Sequence, residues 1–374
     1  MVIHSHIEGI HLLNELFKRY DSVSLLSEVD EVHRCVQDDL YEGNMKGRVK
    51  MNIVIVGAGA MGLRYGILLQ EAGETVDFVE PWLPSFDAIQ KQGGVFVSRD
   101  HKGRHLVPVS VSRPEDYHQV PDLMILFVKQ MQSAAAMVAC HHFIGKRTYV
   151  LTNQNGIGSV DLIKQYVPEQ QIIAGIALIA TVLNAPGDVD FMGAKGAGHT
   201  QLVNVTEKPD YFTAQVVNAF QRAGMNPTLQ TNYMGTLWGK LLMNSVINTL
   251  CTLMDLTMGE YAAYPGAARL TRRLIDEGCA AAEADGVRLM QSPEAMTNIV
   301  AHESSNVNPL HRPSMYQDMA CGRPTEVDYI NGYIVNTAKK HGLCAPSHEL
   351  LVDLLHMAEQ LQSAGSQKVN SKQP

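Results

Sequence analysis

Between residues 51 and 205, short apolar runs rich in β-branched residues alternate with amphipathic stretches. Beyond about residue 207 only the amphipathic stretches continue. The first part predicts strands at Asn52–Val56, Thr75–Glu80, Asp122–Val128, Thr148–Thr152 and Gln171–Leu178. A helix is predicted over Ala60–Ala72, because Met61, Tyr65, Leu68 and Leu69 fall on one face and Gly73 can close it. Residues 180–205 resemble short strands joined by turns, one at Asn184-Ala185-Pro186-Gly187. The second part predicts helices at Tyr211–Ala223, Tyr233–Asp255, Pro265–Ala284, Pro293–Ala301, Thr325–His341 and Ser347–Ser363, punctuated by Pro and Gly. Alternating strands and helices followed by helices alone imply an α/β fold. The expected architecture is a doubly wound parallel sheet of Rossmann type, followed by an all-helical C-terminal domain.

Composition narrows this picture. A chain of 374 residues is long for one core, so two domains are expected. It is 45% hydrophobic and 18% charged, as folded globular chains are. A net charge of -8 argues against nucleic acid or an anionic membrane as partner. Cys35, Cys140, Cys251, Cys279, Cys321 and Cys344 are scattered without a Cys-x-x-Cys pair, which suggests free thiols in a reducing compartment. No apolar run is long enough to span a bilayer, and the N-terminus has no signal-peptide pattern, so a cytoplasmic location is expected. Residues 1–50 carry a faint helical spacing (Ile7, Ile10, Leu13, Phe17). They are expected to be an extension arising from an upstream start codon, with Met51 the natural start; a genuine helical extension is the alternative.

Gly57-Ala58-Gly59-Ala60-Met61-Gly62 matches G-x-G-x-x-G, follows a predicted strand, opens a helix and is followed by a second strand. That context is the dinucleotide-binding signature. Gly57 permits the tight turn, Gly59 lets backbone approach the pyrophosphate, and Gly62 lets the helix pack on the sheet. Glu80 ends the second strand, where an acid binds the adenine ribose hydroxyls of NAD and repels the 2′-phosphate of NADP. A solvated strand-end Glu is the plainer alternative. The expected division is thus an extension (1–50), a dinucleotide-binding Rossmann domain (51–228), a helical substrate and catalytic domain (229–364) and a polar tail (365–374).

Lys240, Asn244 and Asn248 stand at i, i+4 and i+8 of a predicted helix, so all three project along one stripe. The intervening Leu241, Met243, Val246 and Ile247 are apolar, which predicts a largely buried helix whose polar residues need partners. Downstream, Thr325 is placed to cap a helix with Glu326 and Asp328 in its first turn. His141-His142 lacks a third ligand at metal spacing, so no metal site is expected.

Taken together, Gly57–Gly62, Lys129, Asn155-Gly156, Lys240…Asn244…Asn248, Ser314…Asp318 and Thr325-Glu326-Val327-Asp328-Tyr329-Ile330-Asn331-Gly332 resemble the ketopantoate reductase family from Met51 to about Gln360. The resemblance implies a soluble NAD(P)H-dependent oxidoreductase that reduces a small 2-keto acid, with substrate and nicotinamide in a cleft between two domains. It implies Lys240 as the catalytic acid, a role that needs no unusual pKa. Glu326 would bind a substrate hydroxyl and orient the lysine. Asn244 and Asn248 would hold substrate hydroxyls, and Ser314 with Asn155 would meet the carboxylate. Lys129 would face cofactor or substrate, and Asn155 the cofactor also. Asp318 is a weaker carry-over.

Three positions depart from the pattern. Pro81 stands where the family commonly has an Arg for the 2′-phosphate of NADPH, Thr249 replaces a usual Pro, and Pro346-Ser347-His348 replaces a usual Pro-x-Asn. Val79-Glu80-Pro81-Trp82 is similar to the NAD-dependent D-2-hydroxyacid dehydrogenases of the family. The resemblance therefore implies NADPH, while Glu80 locally favours NADH. A broad D-2-hydroxyacid dehydrogenase is the alternative enzyme, and a non-catalytic NAD(P) sensor the alternative of another class. A homodimer is compatible with the helical domain, though no residue argues for one.

Overall fold

The structure is a computed structural model that describes residues 50–303 and 309–370. The expected extension over residues 1–50, Cys35 included, lies outside the described residues except for Lys50, and so does the end of the tail. The described chain falls into two compact units. One comprises residues 50–154 and Ser159–Tyr233; the other comprises Asn155–Gly158 and the described residues from 234 onward.

The first unit is built on β1 (Asn52–Val56), helix α1 (Ala60–Glu71), β2 (Thr75–Val79), helix α2 (Leu83–Gln92), β3 (Val95–Arg99), β4 (Lys102–Val107), β5 (Ser110–Ser112) and β6 (Leu123–Leu126). Helix α3 (Ser133–Cys140), β7 (Tyr149–Thr152), helix α4 (Ser159–Ile163), β8 (Ile172–Leu178), β9 (Thr181–Ala185), β10 (Asp188–Phe191), β11 (His199–Asn204), helix α5 (Tyr211–Arg222) and β12 (Pro227–Leu229) complete it. An eight-stranded sheet has the order β12-β11-β8-β7-β6-β1-β2-β5. It is parallel from β5 through β8, and β11 joins β8 antiparallel. A second sheet of four strands has the order β4-β3-β10-β9.

Period-2 alternation explains why the central strands read as continuous apolar runs. Ile53 and Ile55 of β1 enter one core with Leu123 and Ile125 of β6 and Leu151 of β7. Val54 and Val56 enter the other with Met124, Leu126 and Val150. Both faces are covered, as a parallel sheet requires. Strand β12 corrects the expectation that strand signal ends near residue 207. It is three residues long, begins at a Pro and is held by pairing with β11, which short-range pattern does not reveal.

The second unit is helical: α6 (Tyr233–Met254), α7 (Met258–Ala263), α8 (Ala267–Ala284), α9 (Pro293–Asn298), α10 (Ser314–Ala320), α11 (Val327–Lys340) and α12 (Pro346–Asn370). Helix α7 was not predicted, although Thr257 and Glu260 form a capping box at its start. Gly278 of α8 lets α6 come close, since a Cβ there would lie 2.4 Å from Leu242 Cδ2. Asn331 of α11 ties the interior together by donating to Ser245 O at 2.9 Å and contacting His348 Nδ1 at 3.1 Å. His348 thus fills the position where the family pattern has Asn, and it is fully buried. Among the described residues no helix is long and apolar enough to cross a membrane, and no cluster of His, Cys, Asp and Glu could hold a metal.

Candidate active site

In the sheet unit the glycine loop joins β1 to α1. Gly57 takes φ +102°, and a Cβ there would lie 2.8 Å from Val128 N. A Cβ on Gly62 would fall 2.0 Å from Gly57 O, so helix and loop touch at this point. A Cβ on Gly59 would meet nothing within 4 Å, which leaves room for an approaching group. Helix α1 has no side-chain cap and no acid in its first turn. Its opening N–H groups and dipole are therefore available to an anion, and the loop fits a dinucleotide pyrophosphate.

Glu80 is 4 % exposed. Its carboxylate accepts from Ala58 N at 2.5 Å and from Trp82 N at 2.6 Å. Burial pushes its pKa up, against the pull of those two N–H groups and of Arg113. Far from being a solvated strand end, Glu80 is bonded to the glycine loop itself. Arg113 was missed by sequence reasoning. It donates to the carbonyls of Glu80 at 2.8 Å and Pro81 at 2.6 Å, and so braces the loop after β2. It follows β5, whose pairing with β2 brings it there, and no local motif announces that. Lys129 is partly buried just beyond β6 and begins a short 3-10 turn. Gln154, also missed, bonds Val128 O at 2.5 Å and Ser133 Oγ at 2.7 Å, fixing the backbone beside that lysine.

In the helical unit, Lys240, Asn244 and Asn248 lie on α6. Lys240 keeps partial exposure as a residue, but the atoms packed round its amine desolvate it. That local crowding pushes its pKa from 10.5 down to about 8, with Glu326 pulling the other way. The structure thus differs from the expectation of an ordinary lysine pKa, because the helix is buried more deeply around the amine than spacing alone shows. Asn248 is 6 % exposed, and its side-chain amide makes no hydrogen bond to another described residue.

Glu326 is 5 % exposed and is itself the N-cap residue of α11. Glu326, not Thr325, is the N-cap residue, although the Thr325 hydroxyl accepts from Val327 N at 3.4 Å. Asn155 Nδ2 donates to Glu326 Oε2 at 3.5 Å. That contact depends on Gly156, at φ +84°, where a Cβ would lie 2.4 Å from Tyr329 O. The structure therefore brings Lys240, Glu326 and Asn155 together. Ser314 opens α10 and is exposed. Asp318 is buried and pairs with Arg323 at 3.0 Å, and Asp328 contacts His356, so both have structural partners.

Family models cover most of the chain. The model described as ketopantoate reductase PanE/ApbA matches residues 53–203, and its C-terminal counterpart matches residues 232–359.

The chain belongs to the ketopantoate reductase family.

It is 31% identical over 310 residues to the 2-dehydropantoate 2-reductase of Streptococcus pyogenes, covering 83% of this chain and 98% of the relative. It is 30% identical to that of Lactococcus lactis, covering 84% and 100%. Among solved structures, D-mandelate dehydrogenase with NADH and anilino(oxo)acetate superposes with a TM-score of 0.76 at 30% identity, covering 84% of this chain and all of that one. The family fold, a parallel-dominated Rossmann-type unit followed by helices, is the one described above.

Proposed function

We propose that this member of the ketopantoate reductase family reduces 2-dehydropantoate, or a closely related 2-keto acid, to the D-2-hydroxy acid, with Lys240 as general acid. The observation that carries this reading is the desolvated Lys240 amine, brought to about 8 beside the buried Glu326. An acid poised near the working pH transfers its proton with the least penalty. When bound, a reduced nicotinamide supplies the hydride. Lys240 hydrogen-bonds the keto oxygen, opposes the charge that develops there and gives its proton to it. Glu326 keeps the lysine protonated and accepts from a substrate hydroxyl. Asn248 and Asn244 hold further hydroxyls, while Asn155 and Ser314 meet the carboxylate. Among cofactors we favour NADH. The Glu80 carboxylate beside the loop disfavours a 2′-phosphate, and Arg113 is occupied by two backbone carbonyls.

A second reading is a D-2-hydroxyacid dehydrogenase for branched or aromatic keto acids. It is supported by Glu80 and by the similarity to D-mandelate dehydrogenase. The deciding experiment is a spectrophotometric assay with NADH and NADPH in parallel on 2-dehydropantoate, 2-ketoisocaproate and phenylglyoxylate. The highest kcat/KM on 2-dehydropantoate is expected. Preference for the other two acids would establish the second reading. Cofactor binding with no turnover on any keto acid would refute both and leave a dinucleotide sensor.

A further inference from the structure

Glu326 stands at the end of the corner 321–326, which joins α10 to α11. The opening N–H groups of a helix need acceptors, and the N-cap side chain commonly supplies one. Glu326 does not: as N-cap residue of α11 it makes no side-chain cap bond. Its neighbours meet that need instead. Glu359 of α12 accepts from Thr325 N at 2.7 Å through Oε1, and Thr325 Oγ1 accepts from Val327 N at 3.4 Å. A carboxylate at this end of α11 also complements the helix dipole. Thr325 is 5 % exposed, so water has little access to its N–H if the carboxylate is lost.

Two further side chains of α12 hold the same region. His356 Nε2 lies 3.0 Å from Asp328 Oδ1, and Gln362 Nε2 donates to Met319 O at 2.5 Å. Positions 356, 359 and 362 recur every three residues, so successive side chains turn by only about 60° and share one side of the helix. The corner is closed on itself by Arg323, whose N donates to Asp318 O at 2.9 Å and whose Nε meets Asp318 Oδ1 at 3.0 Å. Of these ties, the one from Glu359 lies a single residue before Glu326.

The placing of Glu326 matters because its charge opposes the desolvation of the Lys240 amine. Its Oε2 also accepts from Asn155 Nδ2 at 3.5 Å. Between buried charges the Coulomb energy is large and varies with separation, so a displaced Glu326 backbone would weaken its hold on the ammonium.

We propose that Glu359 is a positioning residue for the reduction. It holds Thr325 N, spares the Glu326 carboxylate from capping its own helix and keeps that carboxylate beside Lys240. This rests on the Lys240–Glu326 reading above and extends it to α12.

The test is kcat/KM as a function of pH in the full chain for Glu359→Ala, Glu359→Asp and Glu359→Gln, each alone and combined with Glu326→Gln. Gln retains an oxygen that can accept from Thr325 N, whereas Asp keeps the charge but draws it back by about 1.5 Å. Glu359→Ala and Glu359→Asp are expected to lower kcat/KM about tenfold, as loss of one hydrogen bond to a charged acceptor would. They should also move the break in the profile to lower pH, because Glu326 then supports the ammonium less. Glu359→Gln is expected to restore both. In the Glu326→Gln background, Glu359→Ala should cost nothing more, since its effect passes through the carboxylate. A Glu359→Ala profile that matches the unsubstituted one, or a loss that multiplies in full with that of Glu326→Gln, overturns the proposal and leaves Glu359 a helix-packing residue. If Glu359→Ala does not fold, Glu359→Asp decides. An unsubstituted profile without a break, or one that Glu326→Gln does not move, overturns the Lys240–Glu326 reading itself, and the positioning role falls with it.

Discussion

Lys240 offers the sharpest test, because its pKa of about 8 places the loss of the acid inside an accessible pH range. Burial pushes it down from 10.5, favouring the neutral amine by about 3 kcal/mol. Burial is the larger cause and Glu326 opposes it. If protonated Lys240 donates the proton, kcat/KM for keto-acid reduction follows the fraction still protonated. That fraction is about 0.9 at pH 7 and about 0.1 at pH 9, then falls about tenfold per unit. A lysine at 10.5 would lose only about a quarter of its protonated form by pH 10. The assay is initial-rate reduction from pH 6 to 10 at subsaturating substrate. Glu326→Gln removes the charge that supports the ammonium, so the break should move to lower pH as well as the rate falling. Lys240→Ala should cost about 10²–10⁴ in kcat with cofactor affinity nearly unchanged. A profile flat through pH 9.5, or a break that moves upward in Glu326→Gln, would refute the reasoning.

Glu80→Ala should weaken NADH binding more than NADPH binding, measured as the two Kd values by fluorescence titration; equal losses would reduce Glu80 to a brace for Ala58. Asn248→Ala should raise KM by about tenfold for 2-dehydropantoate and little for 2-ketoisocaproate, which lacks the extra hydroxyl, whereas equal changes would place Asn248 away from that group. Gly62→Ala puts a methyl 2.0 Å from Gly57 O, so it should destabilise the sheet unit by about 1–3 kcal/mol and lower Tm; an unchanged Tm would show that the loop yields. His348 is buried with its pKa pushed down by desolvation, so the unfolded chain takes up this proton first as pH falls. Its contribution is full above about 6.5 and is lost as pH falls through the lower folded value. Tm of His348→Gln should therefore depend less on pH between 7 and 5 than that of the unsubstituted protein.

The parallel sheet was legible in the sequence because each central strand buries both faces, and an apolar run bounded by Gly announces that directly. The glycine loop was legible because its three glycines meet local steric demands, visible as the missing Cβ space at Gly57 and Gly62. The stripe of Lys240, Asn244 and Asn248 followed from helical geometry alone. The short pieces were harder. The helix over Met258–Ala263 had its Thr257–Glu260 signal in plain view, but it is too short to show a period. Strand β12 exists only because β11 is there to pair with it. Tertiary structure alone decided what the polar residues meet. It placed the Glu80 carboxylate on Ala58 N, brought Arg113 from 33 residues away to the same loop, and joined Asn155 to Glu326 across 171 residues. It also lowered the Lys240 pKa. Periodicity records which face of an element is buried. The electrostatic environment of a buried charge depends on atoms far along the chain, and no local pattern encodes it.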